Sequence, residues 1–270
     1  MSDDRPIGVF DSGIGGLTVV NSLMKIMPNE SIYYVGDTAR VPYGNKSKNR
    51  IKQYSEEIVK WLIDKNCKMI VIACNTASAI AIDHLKSTFK IPVIGVIQPG
   101  AKKAISITKN NSIGVIGTQA TIESNAYADI LKSLNPSLNI VSKACPLFVP
   151  LVEEGLVSGE IPAKIADQYL KNLTRTEIDT VILGCTHYPI LKEIISKALG
   201  DYVKLVDSGK ATSFSVKRKL QKLGLHSKKN SGELEVFVTD SKNAFNKIVK
   251  KSLGLNLHLE IKSISRIDIL

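Results

Sequence analysis

Short apolar runs that end in turn residues alternate along this chain with stretches whose apolar positions recur every three or four residues. That is the pattern of parallel strands joined by helices. Runs at 7–10, 32–35, 69–72 and 91–96 predict four strands, and runs at 113–116, 139–142, 180–183 and 203–206 predict four more. Between them, residues 49–64 place Ile51, Tyr54, Ile58, Trp61 and Leu62 on one face of a helix, with Trp61 read as core. Further helices are predicted from the turn at 74 to 89, from about 118 to 134, over 162–173 and over 211–223. A strand at 234–238, a helix at 243–253 and a last strand at 257–261 complete the series. Gln98-Pro99-Gly100 reads as a break after the fourth strand and marks a crossing between domains, and Asp207-Ser208-Gly209 marks the return. The expected fold is α/β: two pseudo-symmetric, doubly wound domains, residues 1–97 with 207–270 and residues 98–206, with the active site in the cleft between them.

The run at 69–72 organises the chain. Met69-Ile70-Val71-Ile72 carries no charge and does not alternate with polar residues, so it reads as a central strand buried on both faces. It passes through Ala73 into Cys74-Asn75-Thr76, where a helix begins. A thiol at such a turn sits near unpaired backbone N–H groups, which favour the thiolate. Taken singly, a cysteine after a strand reads first as a small buried hydrophobe. The plan repeats, however, at Val181-Ile182-Leu183-Gly184-Cys185-Thr186-His187, 111 residues on. An upstream pair keeps nearly the same offset: Ile7-Gly8-Val9-Phe10-Asp11-Ser12 resembles Ile113-Gly114-Val115-Ile116-Gly117-Thr118, 106 residues away. Two strand-to-helix units in the same order imply a duplicated α/β half whose cysteines face one another across a cleft. Two thiols on opposite sides of one carbon are what inversion by proton transfer requires.

Other polar residues at strand ends carry two readings each. Asp11 is either a helix cap or an acceptor for a substrate ammonium, and Thr118 and Thr121 either cap the helix they begin or bind an anion. The loop Gly36-Asp37-Thr38-Ala39-Arg40-Val41-Pro42-Tyr43-Gly44 is too rich in turn residues to be regular and stands where ligands are commonly held. His187, two residues past Cys185, is a helper for that thiol or a cap. Cys145, ahead of a proline, reads as packing, Glu153 and Glu154 as solvated carboxylates, and His84, His226 and His258 as residues without chemistry.

Composition narrows the function classes. At 270 residues the chain suits about two domains, and 44% apolar with 23% charged residues is ordinary for a soluble globular protein. No apolar run approaches the roughly 18 residues of a membrane span, so no membrane association is expected. The charged start lacks the apolar core of a secretory signal. Cysteines at 67, 74, 145 and 185 form neither Cys-x-x-Cys pairs nor a disulfide framework, which fits reduced thiols of a cytoplasmic protein and no metal site. The net charge of +11 raises nucleic acid as a partner. Much of the excess, though, lies in residues such as Lys210, Lys217, Arg218, Lys219 and Lys222, which alternate with Val216, Leu220 and Leu223 as the solvated face of a helix would. With aromatics at only 6% and no stacking motif, nucleic acid is not expected.

Four stretches together carry a resemblance: Gly8-Val9-Phe10-Asp11-Ser12-Gly13-Ile14-Gly15-Gly16, Asp37-Thr38-Ala39-Arg40-Val41-Pro42-Tyr43-Gly44, Ala73-Cys74-Asn75-Thr76-Ala77-Ser78-Ala79 and Leu183-Gly184-Cys185-Thr186-His187-Tyr188-Pro189. The chain resembles the cofactor-independent aspartate/glutamate racemase family from residue 7 to about 209. The Lys-rich segment 210–230 departs from that family's acidic or neutral character. The resemblance implies interconversion of L- and D-glutamate, supply of the D-isomer for peptidoglycan, and a homodimer. Carried over by position, it implies Cys74 and Cys185 as acid/bases assisted by Asp11 and His187. Asp11, Ser12, Pro42, Tyr43, Gly44, Asn75, Thr76, Thr118, Thr121, Thr186 and His187 would then hold the substrate.

The chemistry of the residues agrees. A free thiol with a pKa near 8.5 is only a few per cent ionised at neutral pH, so each cysteine needs help. Asn75, Thr76 and nearby amides suit stabilisation of a carboxylate beside a developing carbanion. No cofactor is expected: the turn at 11–17 has Thr18 where a dinucleotide loop needs Gly or Ala, and no lysine is singled out for pyridoxal phosphate. Three other readings stay open: an aspartate or other amino-acid racemase of the same family, a non-catalytic protein that binds an acidic amino acid, and a basic interaction protein whose racemase site is secondary.

Overall fold

The aliphatic runs form strands and the amphipathic stretches form helices in a computed structural model that describes residues 3–253 and 261–264. The first third comprises β1 (Ile7–Asp11), α1 (Leu17–Ile26), β2 (Ile32–Gly36), α2 (Lys48–Asp64), β3 (Met69–Ile72), α3 (Asn75–Ile80), α4 (Ile82–Thr88) and β4 (Val93–Gly95). The middle comprises α5 (Ile97–Ile107), β5 (Ser112–Gly117), α6 (Gln119–Glu123), α7 (Ala126–Leu134), β6 (Asn139–Ala144), α8 (Phe148–Glu153), α9 (Glu160–Leu170), β7 (Thr180–Gly184), α10 (Lys192–Leu199) and β8 (Lys204–Asp207). Then follow α11 (Ser208–Leu223), β9 (Leu234–Val238), α12 (Lys242–Leu253) and β10 (Ile261–Ser263). Of the strand expected at 257–261, all but Ile261 lies outside the described residues.

Among the described residues the strands make two parallel sheets, one in the order β10-β9-β2-β1-β3-β4 and the other β6-β5-β7-β8. The segment β2-β1-β3-β4 and the whole of β6-β5-β7-β8 are wound alike: second strand, first, third, fourth. The register repeats too. Ile7 stands opposite Met69, and Ile113 opposite Thr180, which is the same pair displaced by the two sequence offsets. Cys74 and Cys185 therefore follow equivalent third strands, each next to the first strand of its half. Both sheets have helices against them, and their strands read as continuous apolar runs because both faces are covered. The chain passes from one sheet to the other along α5 and returns along α11, and these two helices pack on each other.

Several elements differ from the sequence reading. The helix expected from 74 to 89 bends at Ala81 into α3 and α4. Ser78 pins α3 by donating to Ile72 O at 3.0 Å and accepting from Val96 N at 3.2 Å, while Leu85 anchors α4 in the core. The helix expected from 118 to 134 breaks at Asn125, which takes a left-handed conformation (φ 58°) that asparagine tolerates. Gln98-Pro99-Gly100 is no break: it forms the first turn of α5, where proline's missing N–H has no intrahelical partner to lose. The fourth strand is correspondingly only three residues long. Trp61 does pack in the core, its ring 4.9 Å from Phe237. On α11, Lys210, Lys217, Arg218, Lys219 and Lys222 are exposed over a buried Val216 and Leu220, whereas Leu223 is exposed.

The small residue before each cysteine is not equivalent in the two halves. Ala73 fits with its methyl group fully buried, but a Cβ on Gly184 would stand 2.7 Å from the backbone oxygen of Ile116, which cannot move aside. Gly184→Ala is therefore expected to destabilise the protein by about 1–3 kcal/mol, read as a lowered midpoint in urea unfolding.

Candidate active site

Cys74 ends the β3 turn as the N-cap of α3, its sulfur accepting from Ala77 N at 3.5 Å and lying 3.9 Å from Ser12 Oγ. Cys185 follows β7 and leads through Thr186 and His187 into a short 3-10 turn, Tyr188–Leu191, in place of the expected helix start. Both thiols are buried and face a single cavity of about 20 Å3, room for one water. Its wall holds Ser12, Pro42, Tyr43, Gly44, Asn75, Thr76, Thr118, Thr186 and His187. Val149, from α8, also lines it and carries no signal in the sequence beyond hydrophobicity. A larger cavity of about 720 Å3, among α4, α5, α7 and α11, reaches neither thiol.

Asp11 lies just behind this wall, fully buried. It does not cap α1, whose N-terminus has no side-chain cap. It accepts instead from Gly13 N at 3.0 Å and from Thr186 Oγ1 at 3.1 Å, so it links the first strand of one half to the cysteine turn of the other. Burial pushes its carboxyl up, and the neighbouring His187 charge and these hydrogen bonds only partly oppose that. The loop that follows approaches closely enough that a Cβ on Gly15 would meet Thr186 Oγ1 at 2.4 Å.

His187 is wedged between a thiol and a carboxylate. Its Nδ1 is 3.8 Å from Cys185 Sγ and its Nε2 2.7 Å from Glu153 Oε1. Burial works against the imidazolium, but the hydrogen bonds and charges of Cys185 and Glu153 outweigh it, and the pKa is pushed up to about 10. Glu153, read from sequence as a solvated carboxylate, is thus the partner of the site histidine. It is the last residue of α8, and nothing local to the sequence marks a pairing made only by tertiary folding. α8 is itself held from the other sheet: Ser252 Oγ of α12 donates to Val152 O at 2.5 Å, and Lys251 Nζ to Glu154 O.

The two thiols consequently have different neighbours. Cys74 is pushed up to about 12 by burial first and by the Asp11 charge second, and the Ala77 amide and Ser12 hydroxyl do not offset this. The expectation that a helix N-terminus favours the Cys74 thiolate is therefore reversed, because one six-residue helix contributes less than desolvation takes away. Cys185 faces the His187 cation instead. Cys67 and Cys145 are buried in the apolar cores away from the cavity, and all four cysteines are free thiols.

Around the cavity stand groups suited to a carboxylate. Thr76, Thr118 and Thr121 form a ring of hydroxyls with Oγ1 separations of 2.9, 3.1 and 2.9 Å, and Thr118 also caps α6 by accepting from Thr121 N. The loop carrying Pro42, Tyr43 and Gly44 is set by a buried network centred on Asp37. Asp37 accepts from Arg40 Nε at 2.6 Å, from Thr239 Oγ1 at 2.9 Å and from the Tyr43 hydroxyl, while Arg40 also pairs with Glu57 and stacks 4.2 Å over Tyr54. His84 pairs with Glu56 at 2.6 Å far from these groups, His226 is exposed, and His258 lies outside the described residues. Among the described residues no cluster of three or more His, Cys, Asp or Glu side chains is placed to hold a metal, and no helix is long and apolar enough to cross a membrane.

Two like-wound parallel units, each ending its third strand in a thiol at one shared cavity, define a two-lobed α/β protein built for acid–base chemistry on opposite sides of a small molecule. The sequence profile of the Asp/Glu/Hydantoin racemase family matches residues 17–213, and the chain belongs to that family. It is 50% identical over 250 residues to a glutamate racemase of Sulfurihydrogenibium sp., 92% of this chain and 94% of the relative. Glutamate racemase isoform RacE1 from Bacillus anthracis has the same architecture, with a TM-score of 0.93 at 39% identity over 97% of this chain and 98% of its own. Glutamate racemase from Francisella tularensis, solved in complex with D-glutamate, gives 0.90 at 44% identity over 97% and 98%.

The His187–Glu153 pair yields a signed pH dependence. Its folded pKa of about 10 lies above the ordinary 6.5, so its contribution to stability is fully present below about pH 6.5 and is lost as pH rises through about 10. In Glu153→Gln the counter-charge is gone. The His187 ring resonances, followed by carbon–proton NMR, are expected to titrate at lower pH, and the stability loss is expected to move down with them. An unchanged midpoint would show that Glu153 does not hold the charge.

Proposed function

We propose that this chain interconverts L- and D-glutamate by direct proton transfer at Cα, supplying D-glutamate for peptidoglycan, with Cys74 and Cys185 as the two acid/bases. The observation that carries the reading is the delivery of two thiols, from equivalent positions of two like-wound halves, into one closed cavity. One thiolate removes the α-proton from one face, and the opposing thiol donates a proton to the other, so inversion needs no group to move around the carbon. His187 lies 3.8 Å from Cys185 and suits the passing of a proton to or from that thiol. Asp11, buried just behind the wall and bonded to Thr186, suits the substrate ammonium, whose charge would offset the field that raises Cys74.

The Asn75 amide, the hydroxyls of Ser12, Thr76, Thr118, Thr121 and Thr186, and the loop at Pro42, Tyr43 and Gly44 hold the two carboxylates and stabilise the charge that builds as the proton leaves. Residues 1–97 with 207–270 form one catalytic lobe and 98–206 the other. A cytoplasmic homodimer completes the reading, and four free thiols fit a reducing compartment. Glutamate is preferred over aspartate on the strength of the relatives' names, since one methylene is worth only about 1–3 kcal/mol in a pocket.

The test is racemisation of each glutamate enantiomer, followed by circular dichroism, beside exchange of the α-proton in D2O without added cofactor. Wild type is expected to exchange and racemise, and Cys74→Ser and Cys185→Ser each to lose roughly 100-fold or more in kcat. A protein that only binds the amino acid would give no exchange, and full activity in both variants would end the two-thiol reading.

A further inference from the structure

One buried donor at the site is left without a partner. Asn75 opens α3 beside Cys74 and is 2% exposed. Its Oδ1 accepts from the Tyr127 hydroxyl at 2.6 Å, whereas its Nδ2 has no hydrogen-bond partner although the residue lines the cavity. Buried N–H groups are almost always paired, so an orphan at a cavity wall marks where a ligand acceptor belongs.

Tyr127 stands on α7, which carries strands of the other sheet on either side of it in sequence, and it is itself 2% exposed. It cannot swing away. Its ring lies so close to the backbone that a Cβ on Gly184 would meet Cε2 at 3.2 Å, and one on Gly100 would meet Oη at 3.4 Å. Burial pushes the phenol pKa up, so the group keeps its hydrogen and has it to give. A carboxamide can take that hydrogen only on its oxygen, and this leaves its NH2 turned toward the cavity.

We propose that Tyr127 is a positioning residue for the reaction: by fixing the oxygen of the Asn75 carboxamide, it keeps Nδ2 aimed at a carboxylate of the bound amino acid. Without the phenol the amide is free to rotate, and in half of its orientations it presents an oxygen that repels the carboxylate. The bond also spans the halves. Asn75 follows β3 and Tyr127 lies between β5 and β6, so the donor is aimed only when the halves meet as they do here. The inference rests on the reading that Asn75 contacts substrate.

A double-mutant cycle on the full chain tests it, with KM and kcat measured for each glutamate enantiomer and folding checked by thermal melting. Tyr127→Phe keeps the ring and removes only the O–H. It is expected to raise KM roughly five- to tenfold, the loss of one hydrogen bond to a binding group, while kcat changes less than about threefold. Asn75→Ala is expected to raise KM at least as much, and Tyr127→Phe placed on Asn75→Ala to add less than about twofold, because the phenol then has no amide to aim. A raised KM in Asn75→Ala with a wild-type KM in Tyr127→Phe overturns the inference alone. The same fold-loss from Tyr127→Phe in both backgrounds also overturns it, since the phenol would then act through packing. A wild-type KM in Asn75→Ala removes the contact reading and the inference with it.

Discussion

A thiol shut in a cavity the size of one water ionises only if charge is brought to it, and that constraint explains most of what surrounds this site. Burial, with the Asp11 charge behind it, drives Cys74 up to about 12. In the same closed space Cys185 stands 3.8 Å from His187, whose pKa is pushed up to about 10 by its hydrogen bonds to Cys185 and to Glu153, 2.7 Å from its far nitrogen. Glu153 in turn depends on the placement of α8, which is tied through Val152 and Glu154 to α12 of the other sheet. The surroundings of the histidine are therefore assembled from elements distant in sequence. Behind the wall the carboxylate of Asp11 adds to the burial that raises Cys74, so the two sulfurs have different neighbours although the strands beneath them are equivalent.

That inequality grows out of a symmetric frame. Two four-strand units share one winding order and one register, which puts the third-strand termini in matching places. The departures come in the turns after the strands. Cys74 heads an α-helix and takes a backbone amide, whereas Cys185 heads a 3-10 turn that folds His187 back onto its sulfur. For a racemase this suits the chemistry, since the two enantiomers present the same groups in mirror-related order to a site that is itself chiral.

What could be read from the chain alone follows from where its information is local. The run at 69–72, its counterpart at 180–183 and the polar residues just beyond them carry strand, turn and thiol within ten residues, so sheets, repeat and cysteine pair were all legible. Trp61 and the exposed lysines of α11 followed from periodicity in the same way. Glu153 was not legible, because its partner is 34 residues away and a helix-terminal glutamate has no local mark of burial. The Cys74 environment was misjudged for a related reason. A helix N-terminus is visible in sequence, but the exclusion of water that outweighs it is a property of the closed cavity. Pro99 and Asn125 show the limit for boundaries, since each residue tolerates two structural roles and the packing chose between them.

The closed cavity has a last consequence for how the amino acid arrives. Thr76 comes from one half and Thr118 and Thr121 from the other, and in this arrangement their hydroxyls satisfy one another. A space of about 20 Å3 admits no amino acid beside that ring. An amino acid therefore enters only if the cavity widens, and under the role proposed for these threonines their mutual hydrogen bonds would be exchanged for bonds to a charged carboxylate, a favourable trade. The sheets are joined by α5 and α11, which pack on one another, so the natural axis for such widening runs along that pair. In the proposed reading, recognition of the anion and closure over the reacting carbon would be one event, since the hydroxyls that join the halves here would then hold the substrate's carboxylate between them.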